Sequence, residues 1–271
     1  MTTATTLPPR ISVLMGIYNC AATLAEALDS LLAQTYTRFQ VIMCDDGSSD
    51  DTAAVARSYV ERYPGKFILV SNERNMGLNY TLNHCLSLAD TEYCARMDGD
   101  DISLPERFAM EVDFLDRHPQ YAVVSAPMIY FDGHGDYRRG VGRGDVKPSD
   151  FVRGTPICHA PCMARTAVIK AVGGYSVSDR LLRVEDYHLW FKVYAAGHRL
   201  FMLDTCLYKM RDDRNALARR NWRNRRNEAY VKHIGYRMLH LPCYYQIFCL
   251  EPIVKWLLPT PIYKFFHYRQ R

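Results

Sequence analysis

From Ile11 onward the chain alternates short apolar runs with stretches of helical spacing, and this alternation constrains the fold more than any other feature. The apolar runs are ISVLMGIYN (11–19), FQVIMCDDGSSDDT (39–52), KFILVSN (66–72), EYCARMDGDD (92–101) and YAVVSAPMIYF (121–131). Between them lie AATLAEALDSLLAQ (21–34), with Leu24, Leu28, Leu31 and Leu32 on one helical face, then 51–63, 77–90 and 104–118. A further helical stretch, VEDYHLWFKVYAAG, covers 184–197. Strands alternating with helices of this length predict an α/β fold with a doubly wound, mostly parallel sheet flanked by helices. Ligands of such sheets sit beyond the C-terminal strand ends. The polar clusters Tyr18-Asn19, Asp45-Asp46-Gly47-Ser48 and Asp98-Gly99-Asp100-Asp101 fall there, so they are expected to converge on one cleft. Residues 132–153, rich in Gly, Asp and Arg, read as a mobile loop.

Charge divides the chain in two. Residues 1–213 carry 22 Lys/Arg and 27 Asp/Glu, whereas residues 214–271 carry 12 and 2. The first part reads as the α/β domain and the second as a basic helical appendage. Such an appendage seeks an anionic partner, and a membrane surface fits best. Aromatic residues are interleaved with the basic ones, and prolines break the apolar runs after Arg237. The longest uncharged run there, 238–250, has 13 residues, short of the ~20 that span a bilayer. The segment 214–271 is therefore read as lying in the membrane interface or packing on the body. Nucleic acid is not expected, because no recognition motif accompanies the charge. The opening MTTATTLPPR lacks the apolar stretch of a secretory leader. Nine cysteines without a C-x-x-C pair read as reduced thiols, so a cytoplasmic protein, peripheral on the inner face of the cell membrane, is expected.

The acidic turn at 98–101 raises a chemical question. Three carboxylates within four residues repel one another unless positive charge sits among them. Carboxylates at a strand end suit a hard divalent cation, Mg²⁺ or Mn²⁺, which keeps positions open for water and phosphate. A solvated turn with helix-capping aspartates is the plainer alternative, and Asp101 could be such a cap. Arg96 could balance the cluster.

The ordered motifs SVLMGIYN, CDDGSSDDT, NERNMGLN, RMDGDDISLPERF, TPICHAPCMARTAVIKAVGGY and VEDYHLWFKVYAAG closely resemble glycosyltransferase family 2, inverting enzymes of the GT-A fold. The resemblance spans about 10–211 and is nearest to bacterial enzymes of surface-polysaccharide synthesis. It implies that Asp98-Gly99-Asp100 is the D-x-D motif. Asp100 would then ligate the metal, with Asp98 beside the donor ribose and the metal. It further implies that Asp46 bonds the nucleobase, with Ile17 and Tyr18 lining the base pocket and Arg74 and Asn75 beside the nucleotide. Asp186 would be the catalytic base, with Glu185 and His159 near the acceptor. Alternatives are that His159 only supports the acceptor site by a hydrogen bond, and that Asp45 only orients backbone. One departure stands out: where the family often carries Y-R-x-H, this chain has LYKMRDDRN, so Asp213 takes the position of the histidine.

The expected function is transfer of a sugar, with inversion, from a nucleotide diphosphate sugar to a glycan acceptor. The donor would be a UDP-sugar and the acceptor lipid-linked. A nucleotidyltransferase acting on sugar phosphates is the second enzyme class, but MGIYNCAAT lacks its Gly-rich basic phosphate loop. A catalytically inactive membrane adaptor is the non-enzymatic alternative, and the intact Asp46, Asp100 and Asp186 argue against it.

Overall fold

The computed structural model describes residues 7–212 and 221–257. The first strands are β1 (Ile11–Ile17), β2 (Phe39–Asp45), β3 (Phe67–Ser71), β4 (Tyr93–Arg96), β5 (Ile102–Ser103) and β6 (Tyr121–Ser125). They are followed by β7 (Met128–Asp132), β8 (Gly135–Arg139), β9 (Gly144–Asp145), β10 (Met163–Arg165), β11 (Arg199–Met202) and β12 (Tyr208–Arg211). The helices are α1 (Ala21–Leu32), α2 (Thr52–Arg62), α3 (Leu78–Leu88), α4 (Arg107–Arg117), α5 (Thr166–Ala171), α6 (Glu185–Ala195), α7 (Trp222–Met238) and α8 (Glu251–Leu257).

Eight strands form the main sheet in the order β3-β2-β1-β4-β10-β6-β11-β9. The β1–β2, β2–β3, β1–β4 and β6–β11 pairs are parallel, while β10 runs antiparallel to both β4 and β6. β1 shows why the sheet is central: six of its seven residues are buried, as a strand covered on both faces must be. Side chains alternate between two cores. Leu14, Ile42 and Cys44 pack with Leu82 of α3, while Val13, Met15, Val41 and Met43 pack with Leu24 and Leu28 of α1. α1 meets its core through Leu24, Ala27, Leu28 and Leu31, the i, i+3, i+4, i+7 stripe.

β1 lies between β2 and β4, so chain order reverses beside it. That is the switch point at which a crevice opens beyond the strand ends. The register places Ile17 opposite Asp45, and Leu14 opposite Arg96. Thus the turns after β1, β2 and β4 emerge side by side.

Two features differ from the sequence reading. The run 121–131 is two strands, β6 in the main sheet and β7 in a second sheet of order β5-β12-β7-β8. The segment 132–153 is not a plain loop. It contains β8, which pairs antiparallel with β7, then β9 and a 3₁₀ turn at Pro148–Phe151. Its short strands carry charged residues that face out, so no apolar alternation marks them.

The described part of the basic appendage packs on the body. Val231 and Tyr236 of α7 are buried in the same core as Phe191 of α6. The Tyr236 hydroxyl donates to the Val152 carbonyl at 2.5 Å. Lys232 is fully buried and reaches Glu251 of α8 at 2.9 Å. Gly235 makes the close approach possible, since a Cβ there would lie 2.2 Å from the Phe191 ring. Gly235→Ala should therefore cost about 1–3 kcal/mol, the scale of overpacking a closed core. A urea midpoint unchanged by this substitution would contradict the packing of α7 on Phe191. Among the described residues no helix is long and apolar enough to cross a membrane. All nine cysteines are free thiols.

Candidate active site

The crevice at the switch point holds two neighbouring cavities. The first, of about 480 Å³, is lined by Ile17 and Tyr18 after β1, Asp46 after β2, and Asn75 and Gly77 before α3. The second, of about 510 Å³, is lined by Arg96 and Asp98 after β4, with His159 and Asp186. The strand-end clusters thus converge as the alternation of strands and helices demands.

In the first cavity, Asp46 organises the wall. Its Oδ1 accepts from the Asn72 side-chain amide at 2.8 Å and the Met76 N–H at 2.8 Å. Its Oδ2 accepts from the Gly77 N–H at 2.9 Å, which leaves that oxygen a further lone pair for a ligand. Gly47, at φ +73°, lets the Arg74–Asn75 backbone pass overhead, since a Cβ would lie 2.9 Å from it. Arg74 is placed beside the cavity by this crossing and is not among its lining residues. Asp45 has a local task, because its Oδ1 accepts from the Ser48 N–H at 3.2 Å. Asn19 bridges the ends of β1 and β2, with its Oδ1 accepting from the Ser49 N–H at 2.8 Å.

The acidic turn gathers Asp98, Asp100 and Asp101, with ligand oxygens within 4.8 Å of one another. Arg96 forms an ion pair with Asp98. Arg211 donates from Nε to the Asp100 carbonyl at 2.9 Å, but its own ion pair is with Glu26. Among the described residues, the Asp100 carboxyl has no ion-pair partner. Partial desolvation against the turn, then the neighbouring Asp98, push its pKa up although the side chain reaches solvent. Asp101 is buried, and its Oδ1 accepts from the Arg211 N–H at 2.8 Å. Burial, together with Asp98 and Asp100, raises its pKa to about 8. The donor set is all oxygen, with Asp100 exposed and Asp98 half-buried, so it could hold a divalent metal that keeps water and phosphate ligands.

A buried support beneath this turn is absent from the sequence reading. Arg107 of α4 is fully buried, donates to the Arg96 carbonyl at 2.9 Å and pairs with Glu111 at 3.2 Å. Burial raises the Glu111 pKa to about 7, against the pull of Arg107. The signal was present as an i, i+4 charge pair on the inner face of an amphipathic helix.

Asp186 and Glu185 open α6 but face different cavities. Asp186 lines the second with Asp98, and Glu185 lines the first with Asp46. Burial, then the adjacent Glu185, raises the Asp186 pKa to about 6. Its Oδ1 accepts from the Tyr187 N–H at 2.7 Å. His159 lies 2.7 Å from the Tyr175 hydroxyl through Nε2, and its ring meets Trp190 edge-on. Burial and then Arg96 push its pKa well below the usual value, so the imidazole is neutral. Asp213, at the family's histidine position, lies outside the described residues.

The sequence model described as "Glycosyl transferase family 2" matches residues 12–172. The putative glycosyltransferase EpsE of Bacillus subtilis is 37% identical over 259 residues, 96% of this chain and 93% of that one. WfaP of Escherichia coli, a UDP-Glc:alpha-D-GlcNAc-diphosphoundecaprenol beta-1,3-glucosyltransferase, is 24% identical and covers 69% of this chain and 71% of its own. The backbone superposes on Staphylococcus aureus TarS in complex with UDP-GlcNAc with a TM-score of 0.70 at 19% identity, covering 92% of this chain and 71% of that one. It also matches the mannosyltransferase PcManGT of Pyrobaculum calidifontis in complex with GDP-Man and Mn²⁺, with a TM-score of 0.65 at 20% identity over 98% and 80% of the two chains. The fold is GT-A, and the chain belongs to glycosyltransferase family 2, whose members transfer sugar from nucleotide sugars.

Proposed function

We propose that this chain is an inverting, metal-dependent transferase of surface-polysaccharide synthesis that acts on a lipid-linked glycan. One observation carries the reading: Asp98 of the acidic turn and Asp186 line a single cavity, which adjoins the one built around Asp46. That arrangement supplies a nucleotide pocket, a metal-binding carboxylate pair and a separate carboxylate for proton transfer.

The nucleotide would lie against Tyr18, Asp46 and Asn75, with the diphosphate toward Asp98 and Asp100. Mg²⁺ or Mn²⁺ held by Asp100 and Asp98 would neutralise charge on the departing diphosphate. Asp186 takes the acceptor hydroxyl proton at Oδ2, since the Tyr187 N–H occupies Oδ1. The acceptor oxygen then bonds the anomeric carbon as the bond to the diphosphate oxygen breaks, and the electron pair leaves with the diphosphate. A single displacement inverts that carbon. Neutral His159, tied to Tyr175, shapes the cleft wall and does not act as an imidazolium acid. UDP-GlcNAc in TarS and GDP-Man in PcManGT support a nucleoside diphosphate donor, and the UDP-Glc of the relative WfaP favours UDP. Relatives such as WfaP, with its diphosphoundecaprenol acceptor, support the lipid link. The test is a panel of nucleotide sugars with Mn²⁺ and a lipid-diphosphate-linked sugar, reading product configuration by NMR. A retained anomeric configuration, or no transfer with any donor, would overturn the proposal.

The appendage supports work at a membrane surface. Its 3₁₀ helix Cys243–Leu250 and α8 expose Tyr244, Ile247, Leu250, Val254 and Leu257, beside Arg153 and Lys255, the latter paired with Glu251 at 2.7 Å. Apolar side chains flanked by cations suit an anionic bilayer interface. The intact chain should float with anionic vesicles, and binding should fall with salt. Replacing Ile247, Leu250 and Val254 together by Asp should release it. An intact chain that does not float would remove the membrane reading and leave the appendage as a packing element alone, and equal flotation of the variant would take these side chains out of the contact.

A further inference from the structure

We infer that the first turn of α7, through Arg223 and Asn224, is a wall of the nucleotide pocket, so that the basic appendage takes part in donor binding. This rests on the reading of the first cavity as the nucleotide site. The cavity has two sides. One is formed by the strand-end residues Tyr18, Asp46 and Asn75, and the other by Arg183, Arg223 and Asn224. The second side is contributed by segments far along the chain, and part of it belongs to the appendage.

The chemistry of the two sides is complementary. Asp46 offers only acceptors toward the cavity, and its Oδ2 has a lone pair to spare. The opposite side offers the guanidinium groups of Arg183 and Arg223, which can only donate, beside the Glu185 carboxylate, which can only accept. A nucleoside presents both kinds of group, with ring N–H beside carbonyl oxygens and ribose hydroxyls. A pocket that sets Asp46 across from two arginines can engage both at once.

The wall is held in place rather than draped. Asn227 of α7 is fully buried and donates from Nδ2 to the Asp179 and Leu182 carbonyls, each at 3.1 Å. This pins the helix to the segment that carries Arg183, whose left-handed backbone (φ 68°) turns the chain at the cavity. The helix start is set by Asn221, whose Oδ1 accepts from the Asn224 N–H at 2.8 Å. Trp222 packs against Trp256 of α8, with ring centroids 5.0 Å apart. Arg223 itself is loosely engaged. Its contact with Asp179 is 3.4 Å long, and both side chains are more than half exposed. Such a surface pair contributes little, so Arg223 can turn to a ligand at small cost.

The experiment is calorimetric titration of the full chain with UDP and with GDP, each with Mn²⁺. For whichever nucleotide binds, Arg223→Ala should weaken affinity about tenfold and Asn224→Ala about fivefold, the scale of one hydrogen bond with and without a charged partner. Arg226→Ala removes the same charge from an exposed position of α7 outside the cavity and should leave affinity unchanged. Tyr18→Ala tests the pocket itself. If Tyr18→Ala weakens binding while the α7 variants do not, the inference fails and the pocket reading stands. If neither Tyr18→Ala nor the α7 variants change affinity, both fail. Equal losses in Arg223→Ala and Arg226→Ala would reduce the effect to overall charge and also overturn the inference.

Discussion

We expect Asp186→Asn to lower kcat by at least about 100-fold while nucleotide-sugar affinity changes little, because general-base assistance is worth about 10²–10⁴-fold. The amide keeps the shape and the Tyr187 N–H contact but cannot take a proton. The environment of Asp186 suits the task. Burial and the adjacent Glu185 raise its pKa to about 6, which makes it a stronger base than a solvated carboxylate. An acid with that value is half protonated at about pH 6, and only the ionised form can accept the acceptor proton. Hence kcat/KM, which reports the free enzyme, should climb through that pH and level off above it, and the climb should vanish in Asp186→Asn. The neighbouring acid should behave differently. Resemblance suggests an acceptor contact for Glu185, whereas Glu185 lines the first cavity with Asp46, the one proposed to take the nucleotide. Glu185→Gln should therefore act on donor KM more than on kcat. A near-normal kcat in Asp186→Asn, with Glu185→Gln inactive, would exchange the two roles.

That contrast shows where sequence reasoning reaches and where it stops. Adjacent residues at a helix start point about 100° apart, so consecutive acids can serve different cavities. Spacing in the chain does not say which cavity each one meets. The convergence of Tyr18, Asp46 and Asp98 was legible, because parallel strands carry their ends to one edge whatever the loop sequences. The individual duties were less so. Asp46 accepts from Asn72, Met76 and Gly77, and those bonds depend on a crossover that follows β3. Arg107 looks like a surface helix residue until β4 and Cys162 are seen to close over it. The second sheet escaped notice for a different reason. β8 and β9 are short, polar and stabilised by pairing rather than by burial, so they carry no hydrophobic period. The packing of α7 was hidden likewise. Its many Arg and Asn residues mask a narrow buried stripe of Asn227, Val231, Lys232, Gly235 and Tyr236.

The other large effect is expected at the acidic turn. Asp100→Ala should abolish turnover and remove Mn²⁺-dependent binding of nucleoside diphosphate, with the fold intact. Charge decides which carboxylate matters most. Asp98 is neutralised by Arg96, and Asp101 is buried with one oxygen held by the Arg211 N–H. Asp100 is the exposed member, and among the described residues no cation pairs with its carboxyl, so a divalent ion gains most there. The same imbalance gives a second readout that does not depend on catalysis. An acid whose pKa is raised on folding destabilises the folded state wherever it is ionised, here at neutral pH. Removing it should leave the metal-free protein at least as stable as before, with an unchanged or slightly higher Tm. In the parent chain, Mn²⁺ should raise Tm by binding only the folded form. In Asp100→Ala that rise should be lost. A ligand whose only part was to cap the next helix would give the opposite pattern, a lower Tm with the Mn²⁺ response retained. Full activity of the parent chain in excess EDTA would remove the metal from the mechanism altogether. The diphosphate would then depend for its countercharge on Arg96 and Arg211, which already pair with Asp98 and Glu26.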